Sequence, residues 1–156
     1  QYPPTGYGYC NLWSTDNSYI GFQGKDDFVR KTIYDPCPVG FKIPASNAFT
    51  GFTSNGQNNG TDNVDGTNVP QQFKNNCGHN IWTNNAHTAT IFFHVAGVRT
   101  HYLCRLLDGY FGAYWTAGKL NIHGALAFAI SSDGKLSPLE HSSFTANGFS
   151  VRPVSE

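Results

Sequence analysis

The sequence predicts a single β-rich domain with long loops and at most a little helix. Three observations carry that expectation. Aromatic residues reach 15% of the 156 residues, and aromatic and β-branched side chains suit a pleated, half-buried surface. Charged residues fall to 13%, roughly half the usual share, so solubility has to come from Asn, Ser, Thr and the 17 glycines, which are residues of turns and loops. The C-terminal half alternates large and small or polar residues in short runs separated by Asp-Gly pairs, the pattern of an antiparallel meander.

The elements follow in chain order. QYPPTGYGYCNLWS is an extended lead-in able to pair at a sheet edge, and DDFVRKTIY holds a short strand or a helical turn. YDPCPVGFKIP (34–44) is too rich in proline for a regular helix or a central strand. It is a shaped connector in which Val39, Phe41 and Ile43 alternate as a strand between stiff flanks. Ser46 offers an N-cap ahead of Ala48, Phe49 and Phe52, a short helix. TSNGQNNGTDNVDGTNVPQQ (53–72), almost without apolar residues, is a long surface loop. ATIFFHVAGVR (89–99) is a buried strand with His94 as a hydrogen-bonded core residue. LLDGYFGAYW (106–115) is a hairpin about Asp108-Gly109. ALAFAIS (125–131) sets Leu126, Phe128 and Ile130 against Ala125, Ala127 and Ala129, and Asp133-Gly134 turns a second hairpin. FSVRPV (149–154) closes the chain with a further alternation. No repeat and no linker divides the chain, so residues 1–156 form one domain.

Lys and Arg balance Asp and Glu, ten against ten. No global charge points to nucleic acid or to an anionic membrane surface, and no apolar run reaches the length of a membrane span. The absence of methionine reads as a processed chain or a piece excised from a longer one. Cys10, Cys37, Cys77 and Cys104 contain no C-x-x-C pair, which argues against structural zinc and dithiol redox chemistry. Their even number and wide spacing favour one or two disulfides in an exported protein, over four buried free thiols. Three pairings are open, and the spacing does not choose among them.

No catalytic signature emerges. T-D-N-V-D-G (61–66) only partly fits a calcium loop, because Thr61 and Gln72 stand where the strongest ligands belong. The six histidines never fall at metal-ligand spacing on one helix face or strand. G-x-S-x-G and phosphate-cradling glycine loops are absent. The reading is therefore a non-enzyme with neither metal nor cofactor. The chemistry that remains lies in GAYWTAGKLNIHGA (112–125) and the segment after it. Tyr114, Trp115, Thr116, Lys119, Asn121 and His123, with His141, Ser142 and Phe144, combine broad aromatic contact with adaptable hydrogen bonding, the mixture recognition loops use. The alternative for Tyr114 and Trp115 is packing in the core as strand residues.

YDPCPVGFKIPASNAFTGF, followed in order by AGVR, DG, GAYWTAG, ALAFAIS and NGFSVRPV, resembles the Fibrobacter succinogenes major paralogous domain and related Bacteroidetes surface proteins. The likeness runs from about Thr32 to the C-terminus. That family is similar to the C-type-lectin-like fold, and the closing segment also resembles variable proteins of diversity-generating retroelements. The resemblance implies an α+β domain with a small twisted antiparallel sheet, long irregular loops and one or two short helices. It implies a cell-surface, extracellular or phage-borne adhesin-like module that binds a protein or glycan on another surface. A second implication is a structural tip or assembly module contacting pilus subunits. By the same resemblance, Trp115 and Thr116 open a display segment containing Asn121, His123, Ser142 and Phe144, and Asn147 to Val154 form the closing scaffold. Thr116-Ala117 departs from the usual Ser-Ser, and neither E-P-N nor W-N-D is present, so calcium-dependent sugar binding is not implied.

Overall fold

The computed structural model describes residues 13–14, 29–53, 78–83, 86–107, 110–120, 124–132 and 135–156. Within them the protein is built from small antiparallel sheets with a single short helix. The strands are β1 (Phe41–Lys42), β2 (Gly78–Trp82), β3 (Thr90–His94), β4 (Val98–Arg99), β5 (Leu106–Leu107), β6 (Phe111–Lys119), β7 (Gly124–Ser131), β8 (Leu136–Phe144) and β9 (Val154–Ser155). The order β6-β7-β8 forms the main sheet, and β1-β9, β2-β3 and β4-β5 form two-stranded ladders. None of the described helices is long and apolar enough to cross a membrane.

The alternation in ALAFAIS places Leu126, Phe128 and Ile130 on one face of β7, all fully buried. The small face is also closed, with Ala127 at 0% and Ala129 at 1% exposure. Both faces of β7 are therefore covered, and the alanines let neighbouring backbone approach. Around Phe128 the rings of Phe49, Phe93 and Tyr114 gather at centroid distances of 4.8, 5.0 and 6.1 Å. Ile81, Val95, Ile130 and Leu136 complete this core. Aromatic packing of this kind adds to the area it removes from water. The phenol of Tyr114 donates to His94 O at 2.6 Å, and burial pushes its pKa above the ordinary value.

The outer edge of β6 is taken up by three distant segments. Gly112 bridges Gly97 in parallel. Trp115 N donates to Ser150 O at 2.9 Å and Ser150 N to Ala113 O at 3.0 Å, while Ala117 N donates to Pro44 O at 2.8 Å. The first approach is close: a Cβ on Gly112 would lie 3.0 Å from Val95 Cα and 3.1 Å from His94 O. A side chain there would force the backbone of residues 94–96 back by a few tenths of an ångström, and glycine avoids that. The closing segment is then fastened across β3, where Arg152 Nη1 donates to Phe92 O at 2.8 Å and the guanidinium lies 4.4 Å from the Phe93 ring centroid.

Several sequence expectations are corrected. The helix is a 3₁₀ helix, Ser46–Phe52, and Ala45 occupies the cap position with no side-chain bond. Ala48 N already donates to Ala45 O, so the turn begins one residue before Ser46. The run 89–99 is not one strand: Gly97 at φ 80° separates β3 from β4. His94 is half-buried and Phe92 is exposed. β5 pairs with β4 in the register Val98↔Leu107 and Arg99↔Leu106, so LLDGYF does not fold back on itself as a hairpin. β7 and β8 do pair, with Ile130 opposite Leu136. FSVRPV is not one continuous strand: it forms a bridge at Ser150 and enters β9 only at Val154. The lead-in apart from Trp13 and Ser14, the loop 54–72 and both Asp-Gly pairs lie outside the described residues.

The proline-rich connector is tied from both ends. Asp35 is buried; its Oδ1 accepts from Cys37 N at 2.8 Å and its Oδ2 from Ile43 N at 3.0 Å. Lys31 Nζ donates to Cys37 O, Pro38 O and Phe41 O at 2.6, 2.7 and 2.5 Å. Gly40, at φ 82°, turns the chain into β1, which pairs with β9 through Phe41↔Ser155 and Lys42↔Val154. Ile43 is fully buried, but Val39 is 97% exposed and Phe41 46% exposed, so only one of the three alternating residues enters the core. Cys37 and Cys104 are free thiols, while Cys10 and Cys77 lie outside the described residues.

Two outcomes follow from this connector. Asp35→Ala should lower the unfolding free energy in urea by about 3 kcal/mol, because two buried N–H groups lose their acceptor at roughly 1–3 kcal/mol each. Asp35→Asn, which keeps an acceptor oxygen, should lose less. Burial, with Asp35 beside it, pushes the Cys37 thiol from 9.0 up to about 12. A group whose folded pKa is raised contributes stability that is complete below its unfolded pKa and is lost on the way to the folded value. The wild type should therefore lose stability faster than Cys37→Ala between pH 9 and about 12, read as the difference between their alkaline unfolding curves.

Candidate functional site

Four of the residues singled out from the sequence lie inside the protein. Tyr114, Trp115, Thr116 and Lys119 are at most 6% exposed, because both faces of β6 are covered and its outer edge is taken. Trp115 stacks on Phe149 at 4.3 Å and meets Trp13 at 5.9 Å. Thr116 Oγ1 donates to Leu126 O at 2.8 Å, inside the register shift that falls between Trp115 and Lys119. Its hydroxyl supplies a donor where the ladder between β6 and β7 is interrupted. Asn121 and His123 lie outside the described residues, as do the side chains of His141 and Ser142. Phe144 is 48% exposed at the end of β8.

The surface around Phe144 is built by a hairpin that carries no signature in the sequence. β4 and β5 are closed by the four residues His101, Tyr102, Leu103 and Cys104. Thr100 N donates to Arg105 O at 2.9 Å, and Thr100 Oγ1 donates to Tyr102 O at 2.7 Å. Leu103 and Cys104 take the left-handed region at φ 59° and 49°. A leucine there is costly and persists only where its surroundings fix the turn.

The surroundings are the segment 144–148. Arg99 N donates to Gly148 O and Gly148 N to Arg99 O, at 2.9 and 2.8 Å. Asn147 Oδ1 accepts from His101 N at 2.7 Å and lies 3.0 Å from His101 Nδ1. The His101 ring rests on Phe144 at a centroid distance of 4.2 Å. Asn147 N donates to Phe144 O at 2.9 Å, so the two residues that hold His101 are fixed relative to each other.

The fixed tip leaves apolar surface open. Tyr102 is 71% exposed, Leu103 79% and Leu106 62%. Scattered surface leucines need no account, whereas Tyr102, Leu103 and Leu106 stand close together in sequence on a braced turn and form a candidate contact surface. One signal in the sequence was available: R-T-H-Y-L-C-R-L-L (99–107) places apolar residues at consecutive positions with neither strand nor helix periodicity. On the β2-β3 ladder the half-buried Trp82 stacks with the exposed His87 at 4.9 Å and 8°.

No protein-family model matches the chain, and neither does any curated protein or solved structure.

The bracing of the tip can be measured directly. Asn147→Ala should speed amide hydrogen exchange at His101 and cost about 1 kcal/mol, the ordinary worth of a hydrogen bond. Exchange in the β6-β7-β8 sheet should stay as in the wild type.

Proposed function

We propose that the protein is a non-catalytic recognition domain displayed at a cell surface or on a phage particle, with a C-type-lectin-like arrangement. Its binding face is the tip 101–104 together with Leu106 and Phe144. The observation that carries this reading is a turn held in a costly conformation by hydrogen bonds from another segment, while its apolar side chains stay open to solvent. Stability alone favours covering such residues or replacing them by polar ones. The even charge balance fits a face that recognises by contact and hydrogen bonding, without long-range steering. The order of motifs shared with surface-protein domains and retroelement variable proteins agrees with the reading. In this arrangement the display surface lies next to the closing scaffold Asn147 to Val154.

A second reading is a structural module in a surface appendage, and a different patch favours it. Ile33, Tyr34, Val39 and Phe41 on the connector are 91%, 61%, 97% and 46% exposed, and Val154 of the paired β9 is 37% exposed. Subunit contacts at that patch would place assembly at the connector and leave the tip free.

Arrays of surface proteins and glycans, probed with the whole chain, separate the two. The triple variant Tyr102→Ser, Leu103→Ser, Phe144→Ala should lower the captured signal at least about tenfold, since central apolar anchors dominate such interfaces. Ile33→Ser with Val39→Ser should leave it unchanged. The opposite result assigns the contact surface to the connector.

A further inference from the structure

We propose that His101 is the polar anchor of the tip face: a fixed hydrogen-bond acceptor that receives a donor carried on an aromatic side chain of a partner protein, a tyrosine or a tryptophan. The inference rests on the reading of the tip as the recognition face and names the chemistry of its partner.

The tautomer follows from the bonding. A main-chain N–H can only donate, so the Asn147 atom 2.7 Å from His101 N is the carboxamide oxygen. The same oxygen lies 3.0 Å from His101 Nδ1. Oxygen accepts there as well, so Nδ1 carries the proton, and in the neutral ring Nε2 holds the lone pair. Among the described residues Nε2 has no hydrogen-bond partner, and His101 is exposed. The ring is not free to turn over, because Phe144 lies against it at 4.2 Å and a flip would forfeit the Asn147 bond.

The neighbours select the partner. An acceptor flanked by exposed Tyr102, Leu103 and Leu106 loses its water when the face is covered. A partner without a donor then leaves Nε2 buried and unpaired, which is penalised. A cationic donor, lysine or arginine, has to desolvate its charge against leucine and meets like charges in the exposed Arg99 and Arg105 on the same hairpin. Tyrosine and tryptophan pair an apolar body with one N–H or O–H handle, and they are enriched among the anchors of protein interfaces. Aliphatic leucines extend the apolar contact past the rings, which suits a protein surface better than a sugar.

The test uses the whole chain uniformly labelled with ¹⁵N. At mildly alkaline pH, NMR should find the His101 proton on Nδ1 with Nε2 bare; a proton on Nε2 overturns the proposal. N-acetyltyrosinamide and N-acetylphenylalaninamide, which differ only in the hydroxyl donor, are then titrated separately. The tyrosine compound should shift His101 Nε2 and bind roughly threefold to tenfold tighter, the worth of one neutral hydrogen bond. His101→Ala should erase that preference, and His101→Gln, whose amide oxygen reaches near the place of Nε2, should restore part of it. Equal binding of the two compounds by the wild type overturns the anchor while leaving the face. Absence of any shift at Tyr102, Leu103 or Phe144 with either compound counts against the recognition face itself.

Discussion

The outer edge of β6 is the constraint on which the rest of the structure depends. A strand edge exposes a row of N–H and C=O groups that have to be paired or covered. Here the pairing comes from Gly97, Ser150 and Pro44, three points far apart in the chain. Each brings its own segment to a fixed place. Gly97 brings β4 and the tip hairpin, Ser150 brings the closing segment, and Pro44 brings the connector with the 3₁₀ helix behind it. A sheet of three strands thereby organises the other described segments. The burial of Tyr114, Trp115 and Thr116 has the same origin, since a strand used on both faces and its outer edge has no side chain left to display.

Where the sequence is regular, the fold is legible in it. ALAFAIS declares one large and one small face, and both appear, because period-two alternation answers directly to burial. The general reading, small antiparallel sheets with little helix, holds for the same reason. What could not be read is pairing between distant segments. Nothing local tells that LL at 106–107 pairs backwards with Val98 and Arg99 instead of forwards across Asp108-Gly109. The candidate site shows the same division. Aromatic richness drew attention to Tyr114 and Trp115, which are core, whereas the exposed aromatic and leucines at 102–106 occupy an aperiodic run. Phe144 bridges the two, picked from sequence and placed at the surface. His101 acquires its role only from Asn147, 46 positions away, and no pattern within the run hints at that partner.

The connector and the tip divide the work between them. In the connector a carboxylate and an ammonium satisfy backbone groups that prolines and a tight turn leave without partners, and the side chains that point outward are apolar. In the tip the bracing comes from a neutral carboxamide and a phenylalanine ring. The connector is fastened by full charges and the tip by neutral contacts.

The pairing of β1 with β9 and the seat of Ser150 on β6 also fix when the domain is able to form. Phe41 meets Ser155 and Trp115 meets Ser150, so the contacts that shut the structure join residues 114 and 35 positions apart. Such separations make closure slow compared with local helix or hairpin formation. Until residues 150–155 are in place, the middle of the β6 edge, at Ala113 and Trp115, lacks the partner that Ser150 supplies and is exposed to other strands. The sheet itself can assemble earlier, so closure of its edge is a separate and later event.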